Sequence, residues 1–353
     1  MKKIFTFPSA IEENNIELIN VADTFIEGIK VLSEDKNYII GNLALREGVS
    51  PHKFLNSSSE DLDYRILMRT GLILATQGSN YNFNLTVGFP YSTYQSYKES
   101  AVSFLQGRHT ISIDTRTFGG KGIEKVGITV ENVDVIPELE GCIKAIRKGE
   151  LSEKDNFFVA SLGFGTFEAA LSTPKGTVNR TIISTKGISY AQTVLEEQMQ
   201  KKYYLSLLTE QQIEKAFQRG SIVIGRKKVD ITELRDKALR TYYSEVISPS
   251  VRKKFANEDF LDTTKIYLTG GGALYGELVK LFKTEFESVI DVIVLQEPVN
   301  AAGVGYCLNS AGKFKEEGYD FVEKTVSVGI DIGNANTVVV VNVNPDTEHA
   351  ENQ

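Results

Sequence analysis

Two stretches far apart in the chain share one design: an apolar strand, a tight turn of small residues, and a second apolar strand. They are SVGIDIGNANTVVVVNV, residues 327–343, and NFFVASLGFGTFEAAL, residues 156–171. A turn of this kind lets backbone N–H groups converge on an anion, and its glycines let the chain come close to it. One such turn usually does no more than reverse a chain. Two hairpins of matching make-up in separate halves can close on one phosphate chain from opposite sides, which points to a two-part architecture with a polyanion site. A third turn, TGGGAL at 269–274, joins the strand IYL to the helix YGELVKLF, and a helix start adds its own N–H groups to such a site.

The rest of the chain fits that division. KKIFTF reads as a strand ended by Pro8 and Ser9. IELINV and NYIIGN read as short strands in a small inserted subdomain over about residues 10–80, followed by the polar loop NSSSEDLDY. NLTVGFP is a strand running into a turn, after which Ser92 and Gln95 make a capping box for the helix TYQSYKESAVSFLQ. HTISIDT and VGITVENVDVI predict strands and PELEGCIKAI a helix. A long helical region follows from about 191 to 219, then a hairpin in SIVIGRKKVDI turning near Gly225, and a helix in TELRDKALRTYYSEVI. SVIDVIVLQE is a strand, and VNAAGVGYCLNSAG a helix with Ala301, Val304, Gly305 and Leu308 on one face. Strands and helices alternating over 353 residues, 41% of them hydrophobic, predict an α/β protein in two related halves with a large core.

Charge and composition exclude several classes. A net charge of −7 with no basic cluster argues against direct nucleic-acid binding. Cys142 and Cys307 lie in apolar stretches without metal spacing, which suits a reducing compartment, and three scattered His residues form no zinc pattern. No segment approaches transmembrane length, so the expectation is a cytoplasmic protein without a membrane partner.

Taken together, these motifs resemble the actin-like ATPase superfamily, nearest to the plasmid-partitioning actins of the ParM type and the archaeal actin-like proteins. GIDIGNANT resembles the family's first phosphate loop, ASLGFGTFE its second and YLTGGGALYGEL its adenosine motif. VIPELEGCIKAI is similar to the first connecting segment and EPVNAAGVGYC to the second connecting helix; VGFPYSTY and GRKKVDI resemble segments of the ParM branch. The resemblance implies an actin-like (ribonuclease H-like) two-domain α/β fold with a nucleotide cleft between the domains. Domain I would comprise residues 1–150 and 300–353, and domain II residues 151–299. In the family the first phosphate loop comes first; here it comes last while the other motifs keep their order. The chain therefore reads as a circular permutation, opened between TVVVVNV and KIFTF and joined through AGKFKEEGYDFVEK.

The resemblance also implies roles. Asp331 would hold Mg²⁺ through water; the plainer reading is a polar strand end that caps the turn. Gly333, Asn334, Ala335, Asn336 and Thr337 would give donors to the phosphates, and Gly163, Phe164, Gly165 and Thr166 form the second loop. Glu138 matches the family's water-positioning Glu or Gln, although a carboxylate after Pro137 suits a helix start in any case. Gly270, Gly271, Gly272 and Ala273 would approach the α-phosphate and adenosine, and Gly187 would border the ribose. Lys227 and Lys228 either flank the base or form an exposed hairpin tip. Two positions depart from the family. Ser161 stands where an Asp commonly opens the second loop, and Val338 where a Lys commonly reaches the phosphates. Glu168, further along the same hairpin, is a substitute carboxylate if its register allows. Phosphoryl transfer depends on metal placement and electrostatics, so these departures bear on hydrolysis more than on binding.

The implied function is a filament-forming protein that binds and hydrolyses ATP or GTP with Mg²⁺, assembles with itself head to tail, and segregates plasmids through a DNA-bound adaptor. The alternatives are a small-molecule kinase on the same superfamily fold, for which no acceptor-directed acid or base stands out, and a non-hydrolysing actin-like scaffold. A membrane-bound scaffold is disfavoured because neither end reads as an amphipathic helix.

Overall fold

The computed structural model describes residues 2–53, 58–76, 82–203, 210–316 and 325–342. The chain divides into two compact units, Met1–Glu153 with Asn300–Gln353, and Lys154–Val299. The first part of unit 1 contains β1 (Lys2–Pro8), β2 (Ala10–Glu13), β3 (Lys30–Ser33), β4 (Lys36–Ile40), α1 (Asn42–Glu47), β5 (His52–Lys53), α2 (Leu62–Thr76), β6 (Asn82–Phe89), α3 (Tyr94–Leu105), β7 (Gly107–Asp114), β8 (Ile123–Pro137) and α4 (Glu138–Lys148). Unit 2 contains β9 (Phe157–Leu162), β10 (Thr166–Thr173), β11 (Gly176–Thr177), β12 (Ile183–Lys186), α5 (Ser189–Tyr203), α6 (Glu210–Arg219), β13 (Ser221–Ile224), β14 (Lys227–Asp230), α7 (Thr232–Tyr242), α8 (Ser248–Lys254), β15 (Lys265–Thr269), α9 (Gly276–Phe286) and β16 (Asp291–Val294). Unit 1 is completed by α10 (Ala301–Glu316), β17 (Thr325–Ile332) and β18 (Asn336–Asn342).

In unit 1 the described strands form one sheet in the order β1-β18-β17-β6-β8-β7-β3-β4-β2-β5. The last hairpin in the sequence is therefore interior to the sheet, between β1 and β6. β18 pairs antiparallel with both β1 and β17, and Lys2 stands opposite Asn342. β17 runs parallel to β6, and β6 to β8. The Val run of β18 is buried throughout because both faces of the sheet are covered, the condition under which a strand need not alternate with polar residues. Ile330 and Val339 face α2, where a Cβ on Gly71 would lie 3.1–3.3 Å from them; Val338 and Val340 face α10 at Gly303. Helix α10 in turn crosses α4 with backbone against backbone, since a Cβ on Gly305 would fall 1.7 Å from the Gly141 carbonyl oxygen. This, rather than a generic small-residue face, is what Gly305 contributes.

In unit 2 the sheet runs β11-β10-β9-β15-β16, with β12 added on β10. Phe158, Ala160, Leu162, Phe167, Ala169, Ile266 and Leu268 pack one face against α5, α7 and α9. Phe157 and Tyr267 stand on the other face, edge to face at 5.3 Å. The period of two along β9 and β10 thus sends Ser161 and Glu168 to the face opposite the main core.

Several local expectations change. Residues 16–21, IELINV, form no strand: their backbone partners are a loop and a lysine, with Asn20 and Val21 N–H groups donating to Arg116 and Thr117 carbonyls and Lys30 Nζ donating to the Ile16 carbonyl. β2, β3 and β4 extend the main sheet beyond β7, while α2 packs into the main core of the unit. The Ser92–Gln95 capping box does not form; α3 is entered through Thr93, whose hydroxyl donates to the Pro90 carbonyl and so offers the helix no cap. The helical region near 191–219 is two helices, α5 and α6, and residues 204–209 between them lie outside the described set. The joining stretch 311–324 lies partly outside it too, from residue 317 on. No described helix is long and apolar enough to cross a membrane.

Candidate functional site

In unit 1 the chemistry gathers where β17 ends and α4 begins. Asp331 stands near the end of β17 opposite Val338, and Glu138 is the first residue of α4, directly after Pro137 of β8. β6 lies between those two strands in the sheet. Parallel pairing aligns the C-terminal ends of β17, β6 and β8, so both carboxylates arrive at one sheet end. Both residues are half-buried. Burial pushes the Glu138 carboxyl up to about 7. Burial first, and then the charge of Glu138, hold Asp331 well above the usual carboxylate range. Two carboxylates, one of which raises the other's pKa, form a donor set suited to a divalent ion. Among the described residues no group of three or more His, Cys, Asp or Glu forms a metal cluster, so such an ion would need water and phosphate oxygens to complete its shell. A carboxyl with a pKa near neutrality can also take a proton from water at working pH.

The turn after Asp331 is built tightly. Gly333 N–H donates to the Asn336 carbonyl at 3.0 Å, and a Cβ on Gly333 would lie 3.0 Å from that oxygen. Asn334 and Ala335 sit partly exposed on the turn, and Asn336 opens β18 opposite Pro8. Thr337 is fully buried and its Oγ1 hydrogen-bonds Ser9 Oγ at 2.9 Å, while Ser9 N–H donates to the Ala335 carbonyl at 3.0 Å. The Thr337 hydroxyl is therefore engaged in clasping the turn to the chain after β1. Tyr64 of α2, which nothing in DLDYR singles out, adds a buried phenol: it stacks on Phe89 at 5.6 Å, and burial followed by the charge of Asp331 raises its pKa.

In unit 2 the second loop is laced to the segment after β12. Gly163 N–H donates to the Thr166 carbonyl, Gly187 N–H to Gly165, Ile188 N–H to Gly163 and Ser189 N–H to Phe164, all at 2.9–3.0 Å. Gly187 backs this loop: a Cβ there would lie 2.5–2.6 Å from Gly163 O, Phe164 O and Thr166 N. Only glycine fits, for a reason of packing. The triple glycine leans on the same loop. Gly270, with φ +79°, would put a Cβ 2.8 Å from the Leu162 backbone, and Gly272 would put one 2.6 Å from the Leu162 Cβ; Gly271 faces open space. Ala273 is buried in a short 3-10 turn, and α9 starts only at Gly276, so the glycines do not themselves open the helix. Thr269 Oγ1 and Gly270 N–H both donate to the Pro298 carbonyl at 2.8 Å.

Ser161 and Glu168 face each other across β9 and β10, with Thr269 on the other side of Ser161. Glu168 is fully buried and its Oε1 accepts from Ser184 Oγ at 2.8 Å. Lys227 and Lys228 form an exposed hairpin tip.

Residues 2–141 match the family model described as "Actin like proteins N terminal domain". A ParM filament subunit from Clostridium botulinum superposes with a TM-score of 0.70 at 18% identity, covering 86% of this chain and 92% of that one. An archaeal actin homolog gives 0.66 at 16%, covering 85% and 90%, and was also solved in complex with ADP. Bacillus thuringiensis ParM with ATP gives 0.53 at 16%, covering 89% and 92%. No curated protein matches the sequence. The chain has the actin-like two-domain fold, as ParM and the archaeal actin homologue do.

Proposed function

We propose that this chain is a nucleotide-dependent, filament-forming protein of the plasmid-segregation type, taking ATP or GTP with Mg²⁺. The observation that supports it most is the pair Asp331 and Glu138, two half-buried carboxylates with raised pKa values brought to one sheet end beside a glycine turn. In this reading Asp331 holds Mg²⁺ through water and Glu138 orients the attacking water and accepts its proton. The ion, when bound, neutralises charge on the β- and γ-phosphates. Gly333, Asn334, Ala335 and Asn336 are the phosphate loop of unit 1, and Gly163, Phe164, Gly165 and Thr166 that of unit 2. Gly270 and Gly271 border the nucleoside, Gly187 and Gly272 support the second loop from behind, and Thr337 fixes the first.

The same reading holds the chain to be a circular permutation of the actin order. The register supports it: Lys2 is the partner of Asn342, so β17, β18 and β1 form a three-stranded meander whose natural sequence order would be β17-β18-β1. The partners are further copies of the chain and a DNA-bound adaptor, in the cytoplasm. Sedimentation of purified protein at several concentrations with Mg²⁺-ATP, Mg²⁺-GTP or no nucleotide tests the proposal. Nucleotide-dependent pelleting above a critical concentration is expected. A folded protein that stays in the supernatant under every condition would overturn the filament reading.

A further inference from the structure

The chain reads as lacking a basic cluster, yet the fold of unit 2 gathers one. Lys215 and Arg219 of α6 and Lys228 of β14 line a groove of about 390 Å³ whose floor is Ala216 and Ile222, with Val223 68% exposed at its lip. Arg226 and Lys227 extend the positive charge along the hairpin tip. None of these cations is in an ion pair among the described residues. In a protein of net charge −7, this is a positive, partly apolar exception.

Unit 2 also presents the complement. Between α8 and β15 the segment Asn257–Asp262 projects Leu261, 80% exposed, between the exposed carboxylates of Glu258 and Asp262. Its base is rigid. Asp259 is buried, pairs with both guanidinium nitrogens of Arg180 and accepts from the Ala256 N–H at 2.9 Å. Phe260 stacks into the cluster of Phe158, Phe255 and Phe286. An exposed leucine carried on a backbone held by its two preceding residues loses little backbone freedom on docking.

We infer that the Leu261 knob of one copy docks in the Lys215–Arg219–Lys228 groove of the next, Leu261 against Val223 and Ile222, Glu258 and Asp262 against the three cations. The inference rests on the filament reading and names its contact. Knob and groove are different surfaces of one unit, so the contact is heterologous, the kind that builds an open filament when its rotation does not close into a ring. Charge complementarity selects the partner, and the apolar centre excludes water from it.

The test is sedimentation of the full chain with Mg²⁺-nucleotide, comparing wild type with Lys228→Glu, Asp262→Lys and the two together. Each single reversal should raise the critical concentration about tenfold or more, and the double should recover most of the loss. Both positions are exposed, so circular dichroism of the variants should match wild type. Single reversals that assemble like wild type, or a double variant no better than either single one, would overturn the contact while leaving the filament reading intact, and the groove would then belong to an acidic segment of another protein. A wild type that does not assemble under any nucleotide would overturn both.

Discussion

Replacing Glu138 by Gln tests the carboxylate pair directly. Glu138 keeps its proton in the folded, metal-free protein up to about pH 7, whereas in the unfolded chain it loses it near 4.5. Below pH 4.5 both states hold the proton and the site costs nothing. Between 4.5 and 7 the unfolded state alone gives it up, so folding becomes less favourable as pH rises. Above 7 the cost is complete, about 3 kcal/mol from the size of the shift. The Glu138→Gln variant removes this term. Its stability relative to wild type should grow from near zero at pH 4.5 to about 3 kcal/mol at pH 8, or about 6–12 °C in melting temperature for a unit of this size. The assay is thermal melting without nucleotide and with EDTA, from pH 4.5 to 8. His52 also loses stabilisation as pH rises, because its hydrogen bond to Asp63 raises its pKa, but both proteins carry it and it cancels in the difference. A gap between variant and wild type that does not change with pH would refute the argument, since a Glu138 that ionises normally gives no such slope.

Asp331→Asn should weaken nucleotide binding about 10–100-fold in the presence of Mg²⁺ and much less in EDTA, measured by fluorescence titration in both. Gly305→Ala drives a methyl group into the Gly141 carbonyl and should cost about 3 kcal/mol in urea unfolding. Gly312→Ala on the same helix meets nothing closer than Lys148 Nζ at 3.9 Å and should gain about 0.5–1 kcal/mol. Gly187→Ala should lower nucleotide affinity about tenfold by displacing the Gly163–Thr166 loop, read by the same titration.

The parts of the fold legible in the sequence were those with strong periodicity and strong punctuation. β17, β18, β9 and β10 are apolar runs broken by glycine turns, and α4 begins where Pro137 forces it to. IELINV misled because alternation in six residues says nothing of which backbone partners are available, and here a loop and Lys30 take them. Thr337 and Gly187 belong to the right motifs, but which of their atoms face outward depends on Ser9 and on the loop behind Gly187, both distant in sequence. Tyr64 feels the charge of Asp331 from a helix more than 250 residues earlier, a proximity only the assembled sheet creates. The basic groove was invisible for the same reason: its three cations come from a helix and a returning strand.

The two departures from the family are each locked in place by a neighbour, which makes restoring the family residue a sharp test. Val338 is 1% exposed with its Cγ1 against the Gly303 position of α10, so a lysine there would have to thread its stem past a helix backbone. Ser161 is 3% exposed and directly opposite Glu168, which is fully buried. Introducing Asp at 161 alone places a second buried carboxyl across from the first, and opposed like charges in a sheet are unfavourable. Ser161→Asp should therefore destabilise unit 2 by on the order of 3 kcal/mol near neutral pH, and progressively less as pH falls and the added carboxyl takes up a proton. Combining it with Glu168→Gln should recover most of that loss, because one carboxyl then occupies the strand pair, as in wild type. Urea unfolding of the single and double variants at pH 5 and 8 decides it. If the single variant is as stable as wild type at pH 8, the two facing carboxyls do not oppose each other and the electrostatic argument has to be given up.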